Sequence, residues 1–303
     1  MSGPREELFE LPFRLVRQGG PSSSEHASFR SWLDATDLLV RAGRVPREAV
    51  LEFWRSLGPD YLAGCAQGHA LAKPYGYAGD FEMMEKIYRC EVSGDPRFRG
   101  WDLFFHLQPA PCAVRNRGPY FASLLDEVLA RLRHPLRVLD VGCGPAYHLA
   151  GWLNDNPSAP VEIVCIDNDE RALAKAAAVC GGAGGRVRFE HANALRFKPP
   201  GTFDLIWSSG LFDYLSDGSF ARLAARYRAG LRPGGEIAVG NFAPDNPGRA
   251  YMELVGDWHL RYRSEAELRR LAGLSGAAPG EVRVGCDRTG VNLFLHLGAE
   301  TGA

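Results

Sequence analysis

The chain of 303 residues is short of several things, and each shortage closes a class of function. No run of about 18 apolar residues occurs, so no membrane span is expected. The opening Met1-Ser-Gly-Pro-Arg-Glu-Glu7 is polar with no apolar segment behind it, which argues against a secretory signal. Seven cysteines, at 65, 90, 112, 143, 165, 180 and 286, are scattered and form no C-x-x-C pair. Such a set suits reduced thiols in a cytoplasmic protein with no structural zinc or other metal. The formal net charge is −1 and no basic run is interleaved with aromatics, so nucleic acid is not an expected partner. Repeats and low-complexity tracts are absent, Gly19 to Ser24 being only a short linker-like patch, and nothing in the sequence sets an oligomeric state.

What remains is a globular composition. Hydrophobic residues make up 46% and charged residues 23%, ample for a buried core. The length suggests about two domains.

The chain is organised around Val138 to Ala146, V-L-D-V-G-C-G-P-A. Leu136 to Val141 is a short apolar run, suited to a parallel strand buried on both faces. It ends in Gly142-x-Gly144, and the segment from Tyr147 reads as a helix. Strand, tight glycine turn, helix is the order in which open α/β sheets build a nucleotide site. Glycine lets the backbone turn sharply and a ligand approach with no Cβ in the way. A pyrophosphate loop, however, wants a small residue where Tyr147 stands. Asp140, inside the strand end, would repel a pyrophosphate but suits a ligand with an ammonium group and hydroxyls.

Before this stretch, residues 1 to about 112 show no strand–helix alternation. Phe29, Trp32, Leu33, Leu39 and Val40, then Val50, Phe53, Trp54 and Leu57 after Pro46, have helical spacing, and two or three helices are expected. Lys73-Pro-Tyr-Gly-Tyr-Ala-Gly-Asp80 follows, with Asp80 placed to cap a helix on which Phe81, Met84 and Tyr88 pack. Tyr75 and Tyr77 either form a lid, whose aromatic faces attract a cation by roughly 0.5–2 kcal/mol, or simply cover a helix end. A helix stripe runs from Tyr120 through Phe121, Leu124, Leu125, Val128, Leu129 and Leu132, preceded by Arg115-Asn116-Arg117. There a basic group either pairs with a ligand carboxylate or marks a solvated helix start.

From Leu136 onward the alternation is regular. Further strands are expected at Val161–Asp167, Arg186–Phe189, Phe203–Trp207 and, after the turn Leu231-Arg-Pro-Gly-Gly235, at Gly235–Val239. Glu281–Gly285 and Val291–His296 read as a hairpin around Arg288-Thr-Gly290. The result is an α/β, mostly parallel sheet with an antiparallel edge.

Ligands of such sheets sit at the carboxyl ends of the strands. Asp167 lies 23 residues past Gly144, near the interval at which an acid accepts from ribose hydroxyls, although a surface carboxylate is the plainer alternative. Asn193 suits an adenine amino group, with Ala194 leaving room for the ring, or else is an ordinary loop asparagine. Ser209 and Gly210 follow the fourth strand. No P-loop lysine faces this region, so a cationic, phosphate-free nucleoside fits better than a triphosphate.

The ensemble D-V-G-C-G-P, C-I-D-N-D, A-N-A, F-D-L-I-W-S-S-G and L-R-P-G-G-E resembles, over residues 136–297, the class I S-adenosylmethionine (SAM) dependent methyltransferases. The resemblance implies a Rossmann-like, seven-stranded core over 113–303 and a helical N-terminal cap over 1–112. It also implies SAM as co-substrate with no metal, and a small-molecule acceptor. By that resemblance Asp140, Gly142, Gly144, Asp167, Asn193 and Ser209 contact SAM, with Arg117, Asn168 and Ala194 beside them. Asn193 departs from the aspartate many relatives carry. K-P-Y-G-Y-A-G-D-F-E-M-M-E-K-I-Y, S-G-L-F-D-Y-L-S-D and the later N-P-x-R-A-Y-M-E and D-W-H-L-x-Y-R are similar, more narrowly, to bacterial enzymes that methylate 3-hydroxy fatty acids into quorum-signal esters.

A carboxylate acceptor is already anionic, so methylation needs alignment and water exclusion rather than a general base. Candidates for that role are Tyr75, Tyr77, Asp213, Tyr214 and Asn241. After a helical stripe Tyr251, Leu254, Val255 and Trp258, Arg263 is either a carboxylate clamp or a surface partner of Glu265 or Glu267. His259 is either a base for a hydroxyl acceptor or a packed histidine. The expected reaction is O-methylation of a carboxylate or hydroxyl on a small or fatty-acid-like metabolite. Two alternatives stay open: attack at the aminocarboxypropyl carbon of SAM, by transfer or by cyclisation to an azetidine, and non-catalytic SAM binding.

Overall fold

The apolar runs become one sheet. In the computed structural model, which describes residues 7–199 and 201–299, β1 (Leu136–Val141), β2 (Val161–Asp167), β3 (Val187–His191), β4 (Phe203–Ser208), β5 (Leu231–Phe242), β6 (Val282–Cys286) and β7 (Asn292–Gly298) pair in the order β3-β2-β1-β4-β5-β7-β6. Residues 1–6, on which much of the argument against a secretory signal rests, lie outside the described residues. Every residue of β4 is buried, and β1 is buried except at Arg137, as expected of strands covered on both faces. β1 runs parallel to β2 and β4, whereas β7 is antiparallel to both β5 and β6. The sheet is the expected mostly parallel, Rossmann-like one with an antiparallel C-terminal hairpin.

Two apolar layers cover it. On one face Val138, Ile163, Leu205, Trp207 and Phe294 pack with Phe121, Leu124, Leu125 and Val128 of α8 (Pro109–Leu132) and with Leu149, Trp152 and Leu153 of α9 (Tyr147–Asp155). On the other, Leu139, Ile206, Ile237 and Leu295 pack with Phe220 and Leu223 of α11 (Asp217–Arg228) and Leu268 and Leu271 of α13 (Glu265–Leu274). α10 (Glu170–Val179) follows β2.

The chain divides into two compact units, 1–112 with 247–259, and 113–246 with 260–303. The first is helical: α1 (Glu10–Arg17), α2 (His26–Arg41), α3 (Arg47–Arg55), α4 (Pro59–Gly64), α5 (Ala66–Ala72), α6 (Phe81–Arg89) and α7 (Pro96–His106) precede α8, and α12 (Arg249–Leu254) comes from the later segment. Its core is aromatic, with Phe29, Trp54, Trp101 and Phe104 fully buried. Two or three helices were expected over the apolar stretches up to Leu57 and one more after Asp80, and the described residues from Glu10 onward form seven before α8. Gly19-Gly20, Pro46, Gly58-Pro59 and Lys73-Pro74 cut the segment into pieces too short for a periodicity to show.

Three other expectations change. The turn expected at Leu231–Gly235 lies inside β5: Phe203 pairs with Leu231 but Leu205 with Glu236, so the intervening residues bulge around Pro233 and Gly234, whose φ is 77°. Proline cannot donate to a ladder, and a bulge is where a strand tolerates it. α8 is 24 residues long with Pro119 inside, so Arg117 sits within the helix rather than ahead of it. Proline removes one N–H from the helix, and the buried stripe on both sides (Ala113, Val114, Phe121, Leu124) outweighs that loss. The stripe from Tyr251 is helical only to Leu254; Val255 is its C-cap, and Asp257, with φ 45°, lies in the left-handed region three residues past the end. Among the described residues no helix is long and apolar enough to cross a membrane.

Candidate ligand site at the strand ends

β1 delivers the glycine turn. Gly142 and Gly144 have φ of 67° and 55°, so the turn needs residues that accept left-handed backbone. The amides of Gly142 and Cys143 donate to Ile166 O at 2.8 and 3.1 Å, pinning the turn to the end of β2. A Cβ on Gly144 would meet no atom within 4 Å, so the space above it is open.

β2 delivers Asp167. Its Oδ2 accepts from the Gly144 amide and its Oδ1 from the Asp169 amide, both at 2.9 Å. Burial pushes its carboxyl above the ordinary range, with the Asp169 and Gly144 amides pulling it back. The glycine turn and the first acid beyond β2 are thus one hydrogen-bonded unit. Asn168 is exposed, and its carbonyl accepts from His191 Nε2 at 3.1 Å. After β3, the Asn193 side chain is exposed and its Oδ1 accepts from the Leu195 amide at 2.9 Å, an Asx turn that shapes the loop. The Ala194 carbonyl accepts from Tyr227 Oη at 2.9 Å. Ser208 Oγ donates to Val141 O at 2.8 Å, joining β4 to β1, and leaves Ser209 half-buried as the first residue beyond the strand.

Asp140 is almost fully buried, and His148 Nε2, on the first turn of α9, donates to its Oδ2 at 2.8 Å. That is the only hydrogen bond to this carboxylate among the described residues.

Arg117 reaches the same end of the sheet from α8. It is only 7% exposed, which removes the solvated alternative. Nε donates to Asn292 Oδ1 at 3.1 Å, the guanidinium lies 5.5 Å over the Phe242 ring, and Nη2 is 3.9 Å from Asp213 Oδ2. A Cβ on Gly210 would come within 3.2 Å of Nη1, so the glycine after Ser209 makes room for the guanidinium. Neither Nη makes a hydrogen bond to any described residue. Asp213 is buried, accepts from the Phe242 amide at 2.7 Å, and has its carboxyl pushed up to about 6 by burial against the opposing pull of Arg117, that amide and Arg263. Tyr214, next in the chain, is 41% exposed.

Other candidates have different surroundings. Asn241 is fully buried, and its side chain donates to Phe242 O and Arg261 O at 3.0 and 2.9 Å while accepting from Arg263 Nη1 at 2.8 Å. It is spent on the protein and has nothing left for an acceptor. Arg263 is neither a clamp nor a surface partner of Glu265 or Glu267. It is buried over Phe220 and donates to Phe212 O, Leu215 O and Asp217, stitching the loop after β4 to β5. His259 lies 3.0 Å from Asp257 and 2.9 Å from Arg47, at the surface of the helical unit. In that unit Tyr75 donates to Glu82 at 2.5 Å and packs on Phe81, Tyr77 is 39% exposed, and Asp80 caps α6 through the Met83 amide at 2.9 Å. Sequence reasoning missed His148 and Asn292. The signal for His148 was its place eight residues after Asp140, on the first helical turn; Asn292 had none.

This sheet order, with a glycine turn after the central strand tied to an acid on its neighbour, is the Rossmann-like arrangement that the sequence resemblance implies. Residues 138–235 match the methyltransferase domain family. Trans-aconitate 2-methyltransferase of Streptomyces avermitilis is 36% identical over 157 residues, 50% of this chain and 55% of that protein. The protein of the same name from Streptomyces coelicolor is 30% identical over 179 residues, 57% of this chain and 54% of that one. The chain therefore spans about half the length of the curated relatives it matches. The crystal structure of a possible exported protein from Bordetella parapertussis shares the fold, with a TM-score of 0.63 over 92% of this chain and 99% of that one at 20% identity.

Proposed function

We propose that the chain transfers the methyl group of SAM to a carboxylate oxygen of a small or fatty-acid-like metabolite. The observation that carries this reading is Arg117, a guanidinium more than nine-tenths buried whose two terminal nitrogens have no hydrogen-bond partner among the described residues. A buried cation left this incomplete is costly unless a ligand carboxylate completes it. The amino-acid end of SAM offers a carboxylate for Arg117 and an ammonium for the Asp140 oxygen that His148 does not hold. Asp167 and Asn168 would receive the ribose hydroxyls, Gly142 and Gly144 would let the nucleoside approach the backbone, Asn193 and Ala194 would border the adenine, and Ser209 the methionine end.

When bound, SAM supplies a methyl group on a cationic sulfur. The residues of this chain have to bind it, hold the acceptor in line and exclude water. A carboxylate acceptor has no proton to lose near neutrality, which accords with Asp167 and Asp213 being tied to backbone amides rather than arranged as a base. Asp213 and Tyr214 after β4 are the proposed acceptor-selecting groups. A carboxylic acid as acceptor is further supported by the curated relatives, whose names specify trans-aconitate.

Mass spectrometry of the chain with SAM, first alone and then with trans-aconitate or a 3-hydroxy fatty acid, tests the reading. S-adenosylhomocysteine with a methyl ester of the acceptor is the expected result. Methylthioadenosine would overturn methyl transfer in favour of attack at the aminocarboxypropyl carbon, and no turnover with either acid would overturn the acceptor class.

A further inference from the structure

Asp140 and His148 form a buried pair with an asymmetry. One carboxylate oxygen, Oδ2, takes the His148 Nε2–H at 2.8 Å, whereas Oδ1 takes no hydrogen bond from any described residue. The histidine is 7% exposed and the aspartate 1%. The imidazole is held by aromatic walls: the Phe121 ring meets it edge-on at 5.3 Å and Trp207 lies 6.3 Å away, tilted by 32°. Trp207 is also the register partner of Asp140 across β1 and β4, so strand pairing and helix packing converge on the pair. On its other flank α8 comes close at Gly118, where a Cβ would stand 3.7 Å from His148 Cα. Neither residue can turn away without disturbing the packed layer beneath the sheet face.

From this geometry we infer that His148 is a positioning residue: it holds Asp140 by one oxygen so that the other stays directed at the ammonium group of the ligand. The inference rests on the methyltransferase reading above and deepens it, because it assigns the pocket a second layer that the glycine motif does not contain. The physical reason is rotational. A carboxylate on a single Cβ–Cγ bond presents either oxygen, and a hydrogen bond from a fixed imidazole removes that freedom before the ligand arrives. Losing the imidazole N–H also leaves a buried carboxylate with no protein partner.

The test separates positioning from general structural support by using two probes. S-adenosylhomocysteine carries the ammonium group, and 5′-methylthioadenosine lacks the aminocarboxypropyl arm. By calorimetry, His148→Leu should weaken S-adenosylhomocysteine about tenfold, the loss of a hydrogen bond to a charged group. Binding of 5′-methylthioadenosine should be unchanged. His148→Gln, whose amide N–H reaches about as far as Nε2, should restore most of the affinity, and in an Asp140→Asn background His148→Leu should cost nothing further. Equal loss of both ligands, or full affinity of His148→Leu for S-adenosylhomocysteine, would overturn the inference. Should the leucine variant fail to fold, the nitrogen resonance of His148 Nε2 in the unaltered chain decides: it should move with S-adenosylhomocysteine and not with 5′-methylthioadenosine, and no movement counts against the assignment. An unaltered chain that binds neither compound would overturn the methyltransferase reading itself, and this inference with it.

Discussion

Buried polar groups behave differently in the two units. In the helical unit the buried acids Asp80 and Asp102 are used up by the chain itself. Asp102 accepts the Ala66 and Ser93 amides at 2.7 and 2.8 Å, one on each oxygen. Asp80 caps α6 and holds His69 at 2.9 Å through both oxygens. Gln67 links Tyr61 to Tyr251. At the strand ends of the sheet unit, by contrast, Arg117 keeps two nitrogens and Asp140 one oxygen without a hydrogen bond among the described residues. Native interiors satisfy nearly all their buried polar atoms, so a buried cation and a buried acid that both keep hydrogen-bonding capacity at the same strand ends point to a missing partner.

The comparison can be broken or sharpened in several ways. The largest effect should come from the helical unit, where Trp101 is fully buried against Phe29, Trp54 and Tyr61. Trp101→Ala should cost about 4 kcal/mol in urea unfolding. A loss below about 1 kcal/mol would show that this aromatic core is not what holds the unit, since surface changes alone reach that range.

Next is Asp213, whose folded carboxyl titrates near 6 against an ordinary 3.8. The folded state therefore binds this proton more readily than the unfolded state. The resulting stability is fully present below about pH 4 and lost as pH rises through about 6, a difference of about 3 kcal/mol at most. Asp213→Asn removes the titration while keeping an oxygen for the Phe242 amide. Urea unfolding of both proteins between pH 4 and 7 should show the variant gaining on the parent as pH rises. Parallel curves would place Asp213 in a less desolvated setting than its burial implies.

Arg117→Met should weaken S-adenosylhomocysteine by roughly 2 kcal/mol, some thirtyfold, while leaving unfolding stability unchanged or higher, because an incompletely paired buried charge is removed. If stability fell and affinity held, Arg117 would belong with the self-satisfied groups of the helical unit. The smallest effect is that of Asp167→Ala, which should weaken the same ligand at least tenfold, about 1.4 kcal/mol, on loss of a charged ribose acceptor. Unchanged affinity by calorimetry would leave Asp167 as a brace for the Gly144 amide only.

Much of this site was legible from residue order, but unevenly. Gly142, Gly144 and Asp167 are local statements: a turn requires left-handed backbone, and an acid directly follows an apolar run. Arg117 was legible as a residue and not as a position, because Gly118-Pro119 reads as a helix break and only the buried stripe on both sides shows that the helix continues. Asn241 and Arg263 were misjudged for a related reason. Whether a polar side chain is free or spent depends on a partner 22 residues away, and no pattern within either segment records it.

The sequence by itself determined the alternation of strands and helices, the glycine turn after β1, the acids at the tips of β1 and β2 and the closing hairpin. Each of these follows from backbone preferences and apolar periodicity within about ten residues. Only the tertiary structure decided that β5 bulges through its proline, that Arg117 is buried over Phe242 and beside Gly210, and that His148 and Asp140 form a pair with one oxygen to spare. Those depend on which elements end up adjacent once the apolar faces are buried, and hydrogen bonds between distant segments are settled only after that packing is complete.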